Sequence, residues 1–265
     1  MSHGVTRRKF LQGTAVAAGV TVLGASFRTN AYAASGKLRI AYVGTGGQAG
    51  AHLNLAKNET CPCYCDPAPD ARQKAAGMYP QAKAYTDYRK MIDDMQKDID
   101  CVFIACPDNI HIPAAIRAMR YGKGAFVEKP AAKTVYEARL ISTEVQKLKV
   151  PTQMGNQGHA GGGIRKQVEW VQAGVIGTVK ETHTWTNRPG GMWPQGMASR
   201  PASKPVPAGL DWDSWIGPAP FRDYHDGLHP FKWRGWYDFG TGSTATTRSP
   251  SSAGSTWPAR ARPTS

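Results

Sequence analysis

The sequence predicts an α/β protein built on a doubly wound parallel sheet, followed by a second part of different character. Short apolar segments alternate with helix-like segments from residue 38 to about residue 155, as in parallel strands joined by right-handed helical crossovers. Several of the helix-like segments carry proline or glycine at their ends, the residues that commonly delimit helices. After Asn156 the alternation stops, and the chain becomes rich in Pro, Gly and Trp.

The predicted elements follow one another with short connections. Residues 37–44 form an apolar run that ends in glycine, which is typical of a buried strand. Proline at each end bounds a helix over 69–80, and Gly122 ends a helix over 112–123. Further predicted strands are residues 61–66, 98–107, 124–130 and 150–156, the beginning of 82–95, and 178–187, which alternates like a half-buried strand. Further predicted helices are residues 47–58, 134–149 and 164–177 and the remainder of 82–95.

The first 34 residues predict an export signal. Arg7 and Arg8 precede an apolar stretch over 14–25, and residues 31–33 read Ala-Tyr-Ala, an A-x-A cleavage site. The apolar stretch is too short and too rich in Gly and Ala to predict a membrane-spanning helix. This order resembles a twin-arginine signal, which implies recognition by the Tat export machinery and a periplasmic protein. The alternative is a basic amphipathic N-terminus that stays attached.

The formal net charge of +14 does not predict nucleic-acid binding, because much of it lies at the two ends. Residues 1–35 carry four basic residues and no acid, and residues 243–265 carry three arginines and no acid. The excess in between is spread without a basic run, as on an ordinary solvated surface. We therefore expect no nucleic-acid partner.

The five cysteines predict neither a metal site nor a full disulfide framework. Cys61, Cys63 and Cys65 are spaced two apart, whereas structural zinc sites use C-x2-4-C pairs with a second pair of ligands further on. Residues two apart in a strand face the same side, so buried thiols on one strand are the better interpretation. An odd count argues against complete pairing.

A glycine-rich turn predicts a dinucleotide site. Gly44, Gly46 and Ala49 fit G-x-G-x-x-G/A between a predicted strand and a predicted helix, and Asp66 ends the next strand. The glycines permit a tight turn and close approach to a pyrophosphate, which the helix N-terminus attracts. The acid would accept a hydrogen bond from the ribose 2′-OH, which favours NAD, with NADP as the alternative cofactor. The competing interpretation is a glycine turn in a non-binding α/β domain.

The strand-end sequence Glu128-Lys129-Pro130 is a second candidate site. Taken alone it reads as a solvated ion pair. In a doubly wound sheet, however, the carboxyl ends of the strands open onto the ligand crevice. Lys129 is therefore expected beside the nicotinamide.

Taken together, these motifs resemble those of the Gfo/Idh/MocA oxidoreductase family. The matching segments include GTGGQAGAHL, DIDCVFIACPDNIH, AMRYGKGAFVEKPAA and QMGNQGH, and later GTVKETHTWTNRP, LDWDSWIGPAPFRDYH and HPFKWRGWYDFGTG. The resemblance spans residues 38–242. It implies a Rossmann domain over 38–155 and the beginning of an α+β substrate domain, incomplete here, over 156–242. It also implies a small-molecule substrate, a sugar or cyclitol.

The resemblance assigns roles to particular residues. Lys129 corresponds to the catalytic lysine, in a motif whose Lys–Pro peptide is often cis. Asp108, Asn109 and His111 match a P-D-x-x-H loop beside the cofactor, and Gln157 and His159 lie where substrate contacts begin. For the two histidines a capping or core role is the alternative. The full predicted cofactor-binding set is Gly44, Gly46, Gly47, Ala49, Asp66, Pro107, Asp108, His111, Glu128 and Lys129.

The resemblance ends after Gly242. Relatives continue into a G-D-x-x-x-H segment whose histidine transfers the proton, but no histidine follows His229 here. Residues 243–265 contain no Leu, Ile, Val, Asp or Glu and predict a disordered or aberrant tail, for which a shifted reading frame is the first interpretation and a natural Ser/Thr/Pro-rich extension the second. With few partner strands for 178–187, we expect residues 156–242 to be partly ordered at best.

The sequence thus predicts an NAD(P)-dependent oxidoreductase acting on a sugar or cyclitol, impaired by the missing histidine segment. Two alternatives stay open. One is an NAD-dependent glycosidase of the same superfamily, which shares the first domain, and the other is a non-catalytic dinucleotide-binding module. A homo-oligomer is expected only with a complete second domain.

Overall fold

Six parallel strands form the centre of the molecule in the computed structural model, which describes residues 36–183, 185, 192–194 and 197–242. The strands lie in the order β3-β2-β1-β4-β5-β6, and every adjacent pair is parallel. This is the strand order of a doubly wound dinucleotide-binding sheet, so the predicted fold class is confirmed. The predicted signal over 1–34 and the predicted tail over 243–265 lie outside the described residues.

The strands and helices alternate as the sequence predicts. The strands are β1 (Ile40–Val43), β2 (Cys63–Cys65), β3 (Lys83–Tyr85), β4 (Cys101–Ile104), β5 (Gly124–Glu128) and β6 (Thr152–Gly155). The helices are α1 (Ala49–Leu55), α2 (Pro69–Met78), α3 (Tyr88–Met95), α4 (Asp108–Arg120), α5 (Val135–Leu148), α6 (Gly162–Gln172) and α7 (Trp212–Ile216), with 3-10 turns over Gln157–Ala160 and Lys232–Gly235.

Alternate residues of β1 build two separate apolar layers. Ala41 and Val43 belong to one buried cluster, and Ile40 and Tyr42 belong to another on the opposite face of the sheet. Successive side chains of a strand point to opposite faces, so β1 is covered on both sides. This double burial explains why the sequence of β1, Ile-Ala-Tyr-Val, has no charged residue.

The closely spaced cysteines divide between the two layers. Cys63 and Cys65 are buried on β2 in one cluster, whereas Cys61 precedes the strand and packs against the other. The prediction of buried thiols on one strand is confirmed for Cys63 and Cys65 and wrong for Cys61, which is half-buried and lies outside the strand. Burial raises the pKa of the Cys61 and Cys63 thiols to about 12, so neither is a ready nucleophile.

Helix α4 begins four residues before its predicted start. Asp108 is its first residue, and Pro113 lies inside the helix. Ile110, His111 and Ile112 in this first part of the helix are all buried, and Ile110 belongs to the core cluster that contains β4 residues. The predicted loop containing Asp108 and His111 is therefore the first turn of a helix.

The predicted strand over 178–187 is absent from its described residues. Residues 178–183 and 185 are exposed and form no β-ladder. An alternating segment becomes a strand only when a neighbouring strand takes its backbone hydrogen bonds, and the part of the chain described here offers none. The predicted helix over 164–177 also ends early, at Gln172.

Much of the described part of the Trp-rich stretch packs as a second core, while the partial order of residues 156–242 in solution stays a prediction. Leu210, Trp212, Trp215 and Phe239 are buried in one cluster with other side chains of this stretch. The cluster includes Ala68 and Ala71, so it packs directly on α2 of the sheet domain. The stretch therefore becomes part of the wall above the sheet.

Within the described residues, no helix has the length and apolar character needed to cross a membrane.

Candidate functional site

A cavity of about 350 Å³ lies at the carboxyl ends of β1, β2, β4 and β5. In a doubly wound sheet this edge is the general location of ligand sites. Of the ten predicted cofactor-binding residues, only Ala49 does not line it; the nine that do are Gly44, Gly46, Gly47, Asp66, Pro107, Asp108, His111, Glu128 and Lys129. Residues distant in sequence are thus assembled around one space.

The turn after β1 requires glycine at its first position. Gly44 has a φ of +87°, and a Cβ there would lie 2.4 Å from the carbonyl oxygen of Ala105. Its N–H donates to the carbonyl of Cys65 at 2.8 Å, which connects the turn to β2. At Gly46 a Cβ would meet only Ala71, at an ordinary 3.7 Å, so no protein neighbour explains this glycine. A small residue there leaves the backbone open to the cavity.

Asp66 holds a fixed carboxylate at the cavity edge. It is 9% exposed, and it accepts hydrogen bonds from the N–H groups of Thr45 and Ala68, both at 2.9 Å. Burial raises the pKa of Asp66, while those backbone donors act in the opposite direction. A carboxylate has about four acceptor positions, so capacity remains for a ligand hydroxyl. This arrangement suits a ribose.

Asp108 and Asn109 attach the C-terminal stretch to the first turn of α4. Asp108 accepts hydrogen bonds from the hydroxyl of Thr241 at 2.9 Å and from its N–H at 3.1 Å. The side-chain amide of Asn109 donates to the carbonyl of Ile216 at 2.9 Å. Burial raises the pKa of Asp108. Both residues therefore close the cavity through protein contacts, a role that the sequence did not predict.

His111 connects β4 to the lysine loop. Its Nδ1 lies 2.7 Å from the carbonyl oxygen of Pro130, and its Nε2 lies 3.0 Å from that of Cys106. A neutral imidazole donates to only one of them. The ring is 1% exposed, as expected of a core histidine, although His111 also lines the cavity.

Lys129 extends from the end of β5 into the cavity wall. The Lys129–Pro130 peptide is cis, as the resemblance implies. The N–H of Lys129 donates to Glu128 Oε2 at 3.0 Å. Glu128 also contacts His52 and Gln157, so the peptide that carries the lysine is connected to two further elements.

Gln157 and His159 do not line the cavity. Gln157 is directed to Glu128, and His159 is exposed on the 3-10 turn after β6. Their substrate role stays a prediction. Among the described residues there is also no group of three or more His, Cys, Asp or Glu that could hold a metal ion.

The C-terminal stretch contributes a wall of the cavity. Trp215, His229, Phe231 and Trp233 all line it. The His229 ring meets the Trp215 ring nearly at right angles, with 6.1 Å between centroids. Burial lowers the pKa of His229, so a neutral ring faces the cavity at neutral pH.

Two family models match the chain. One, described as an oxidoreductase family with an NAD-binding Rossmann fold, matches residues 38–156; the other, its C-terminal alpha/beta domain, matches residues 165–247. Together they cover more than half of the chain. The chain belongs to the Gfo/Idh/MocA oxidoreductase family. NAD requires a glycine turn, a helix that starts after it and an acid at the end of β2, and this chain has all three. Residues 38–156 are therefore an NAD-binding Rossmann domain.

Relatives of the chain include an inositol dehydrogenase and a glycosyl hydrolase family 109 protein. The chain is 29% identical over 146 residues to inositol 2-dehydrogenase/D-chiro-inositol 3-dehydrogenase of Lacticaseibacillus casei, a match covering 53% of this chain and 42% of that protein. It is 28% identical over 208 residues to a glycosyl hydrolase family 109 protein of Shewanella baltica, covering 66% and 44%. The structure of myo-inositol 2-dehydrogenase from Lactobacillus plantarum matches with 25% identity and a TM-score of 0.50, covering 54% and 43%. The chain spans less than half of each of these three proteins.

Proposed function

We propose that this chain carries the cofactor and lysine sites of an NAD(P)-dependent oxidoreductase acting on a hydroxyl carbon of a sugar or cyclitol. The observation that supports this most directly is that one cavity joins the Gly44 turn, Asp66 and Lys129. An inositol dehydrogenase among the relatives supports the substrate class.

Each of these residues has a defined task in the proposal. The Gly44–Gly47 turn and the N-terminus of α1 receive the pyrophosphate, and Asp66 accepts a hydrogen bond from the ribose. NAD supplies the hydride acceptor when bound. Lys129 donates a hydrogen bond to the substrate oxygen at the nicotinamide side. Its cavity position and its fixed backbone support this role.

The same proposal predicts impaired turnover. The resemblance implies that a histidine in G-D-x-x-x-H transfers the proton, and residues 243–265 contain no histidine. We therefore expect cofactor binding without efficient substrate oxidation, which would resemble the non-catalytic alternative in a simple assay. Restoring a family-like continuation after Gly242 separates the two, because an impaired enzyme regains turnover and a binding module does not.

Calorimetric titration with NAD tests the cofactor site. Replacing the Asp66 acceptor in Asp66→Asn weakens a charge-assisted hydrogen bond, so affinity is expected to fall about tenfold or more. Asp94→Asn is the matched control, since Asp94 is exposed and lies outside the cavity. Equal NAD affinity in wild type and Asp66→Asn would refute the ribose role.

An NAD-dependent glycosidase is the second candidate. The match to the glycosyl hydrolase family 109 protein of Shewanella baltica covers 66% of this chain, and that to the inositol dehydrogenase covers 53%. A glycosidase would release the leaving group of a nitrophenyl glycoside without net NADH. A dehydrogenase would form NADH from inositol. The restored chain described above is the protein to assay.

We further propose export through the twin-arginine route to the periplasm, supported by the order of the motifs in residues 1–34. A reporter fused to these residues should reach the periplasm. The double variant Arg7→Lys with Arg8→Lys should keep it in the cytoplasm, whereas Lys9→Gln, which keeps both arginines, should not. Export of the double variant would exclude the route.

A further inference from the structure

A buried hydrogen bond connects the glycine-turn helix to the end of β5. His52 lies in α1, and its Nε2 is 2.8 Å from Glu128 Oε1. Both side chains are 5% exposed. His52 does not line the cavity, and no motif in the sequence assigned it a role. Burying a polar pair of this kind is unfavourable unless its hydrogen bonds are made, so the contact has to be satisfied in the folded protein.

Glu128 is held at both of its oxygens. Oε1 accepts hydrogen bonds from His52 and, at 2.7 Å, from the side-chain amide of Gln157. Oε2 accepts the N–H of Lys129 at 3.0 Å. Burial acts to raise the pKa of Glu128, but these hydrogen bonds outweigh it and the pKa is lowered. The group is a carboxylate at neutral pH, and the ring nitrogen of His52 that faces it is therefore the donor.

The surrounding side chains leave this network little freedom. The His52 ring packs edge-on against Phe126, with 5.1 Å between centroids, and against Phe103 at 6.2 Å. Behind the carboxylate, a Cβ on Gly155 would lie only 2.9 Å from Glu128. The close backbone at Gly155 and the two donors to Oε1 fix the orientation of the Glu128 carboxylate. They therefore also fix the position of Oε2, which accepts the N–H of Lys129.

We infer that His52 is a positioning residue for Lys129, acting through Glu128. It fixes the carboxylate that anchors the lysine peptide, and that peptide determines where the amine meets the cavity. The inference rests on the proposed role of Lys129. Displacements of about 1 Å at a reacting group are enough to reduce rates about a hundredfold, so an anchor of this kind bears directly on function.

The test measures the lysine itself and needs no turnover. Acetylation of Lys129 by acetic anhydride is followed by mass spectrometry over a range of pH, relative to the exposed Lys147. In His52→Ala the peptide loses its anchor, and we expect Lys129 to react about threefold faster or more because its segment opens locally. In His52→Gln the amide can donate to Oε1, and the rate should return close to that of wild type.

Leu53→Ala is the matched control for general loosening of α1. Leu53 is 1% exposed and adjacent to His52, so truncating it destabilises the helix while leaving the bond to Glu128 in place. Equal acceleration in Leu53→Ala and His52→Ala, or no acceleration in His52→Ala, would overturn the inference.

A second route covers the case in which His52→Ala does not fold. Gln157 is exposed and donates to the same oxygen of Glu128, so Gln157→Ala should fold and should accelerate Lys129 in the same direction. An unchanged rate in that variant would contradict the network. Failure of the proposed function is separately visible, because it would remove the dependence of NAD affinity on Asp66 without altering the response of Lys129 to His52.

Discussion

Asp66 and Glu128 are two buried carboxyl groups in one cavity wall with opposite electrostatic character. Asp66 receives backbone N–H groups, but desolvation dominates and its pKa is raised. Glu128 receives His52, Gln157 and a backbone N–H, and its pKa is lowered. The difference follows from the donors, because two side-chain donors meet Glu128 at a single oxygen. In the protein without a ligand, the ionised form of Asp66 is therefore less favourable than in the unfolded chain, and the ionised form of Glu128 is more favourable.

This contrast predicts opposite pH dependences of stability. A carboxyl whose pKa is raised by folding stabilises the protein below its ordinary pKa of 3.8, and the contribution is lost as pH rises through its folded pKa. A carboxyl whose pKa is lowered contributes above its ordinary 4.5 and loses that contribution as pH falls. Between roughly pH 3 and pH 7, the unfolding free energy of wild type relative to Asp66→Asn should therefore decrease, and that relative to Glu128→Gln should increase.

Urea unfolding of the three proteins at each pH measures these differences. Subtracting the variant from wild type at each pH cancels the contributions of the titrating groups that the two proteins share. Slopes of the same sign for Asp66 and Glu128 would show that the two sites do not differ as the hydrogen bonds indicate.

At this scale, sequence reasoning identified the residues whose role is local. Gly44 and Asp66 follow from spacing around one turn, and Lys129 follows from its place at a strand end. His52 and His229 were missed because tertiary packing, not a motif, brings them to Glu128 and to the cavity. No periodicity in the chain encodes such a contact.

The elements of the sheet domain are specified mainly by short-range signals. Helix α5 begins with a capping box, in which Thr134 Oγ1 accepts the N–H of Glu137 at 3.1 Å and the Glu137 carboxylate accepts the N–H of Thr134 at 2.8 Å. Such reciprocal bonds satisfy donors that a helix start leaves unpaired. They explain why this helix was predicted to within one residue at each end.

Removing the cap should have a measurable cost. Thr134→Ala leaves the Glu137 N–H unpaired and is expected to lower the unfolding free energy by about 1 kcal/mol. Thr143→Ala, on the same helix, should change it by less than about 0.5 kcal/mol, since Thr143 is exposed and bonds only to the preceding turn. Chemical denaturation of both variants provides the comparison, and equal effects would contradict a capping role.

Two elements were predicted wrongly for reasons that the sequence does not reveal. Pro113 sits inside α4, which starts at Asp108 because the first turn is buried and bonded to the C-terminal stretch. Residues 178–183 alternate like a strand but lack a partner among the described residues. Both errors come from long-range context that overrides local preference.

At the scale of the whole chain, the Trp-rich stretch and the sheet domain share one site. Phe239 and Ile216 each accept a hydrogen bond from Asn109, and Asp108 accepts two from Thr241. The same stretch supplies Trp215 and other residues to the cavity wall. The sequence did not predict which helix this stretch would meet, because these bonds join residues more than 100 positions apart.

Limited trypsin digestion tests this attachment. The exposed residue Lys180 should be cut first, and the fragment that begins after it should stay bound to the sheet domain through gel filtration. Asn109→Ala removes the donor to the carbonyl of Ile216. Because the loss of a buried hydrogen bond makes local opening of the stretch more frequent, cleavage at Lys232 should become several-fold faster. Arg120→Ala, at the exposed far end of the same helix, should leave the rate unchanged.

NAD should slow cleavage at Lys232 in wild type, since residues on both sides of it line the cavity. Early release of the C-terminal fragment from the wild-type protein would mean that the stretch is not held by α4, and the cavity would then lose its outer wall.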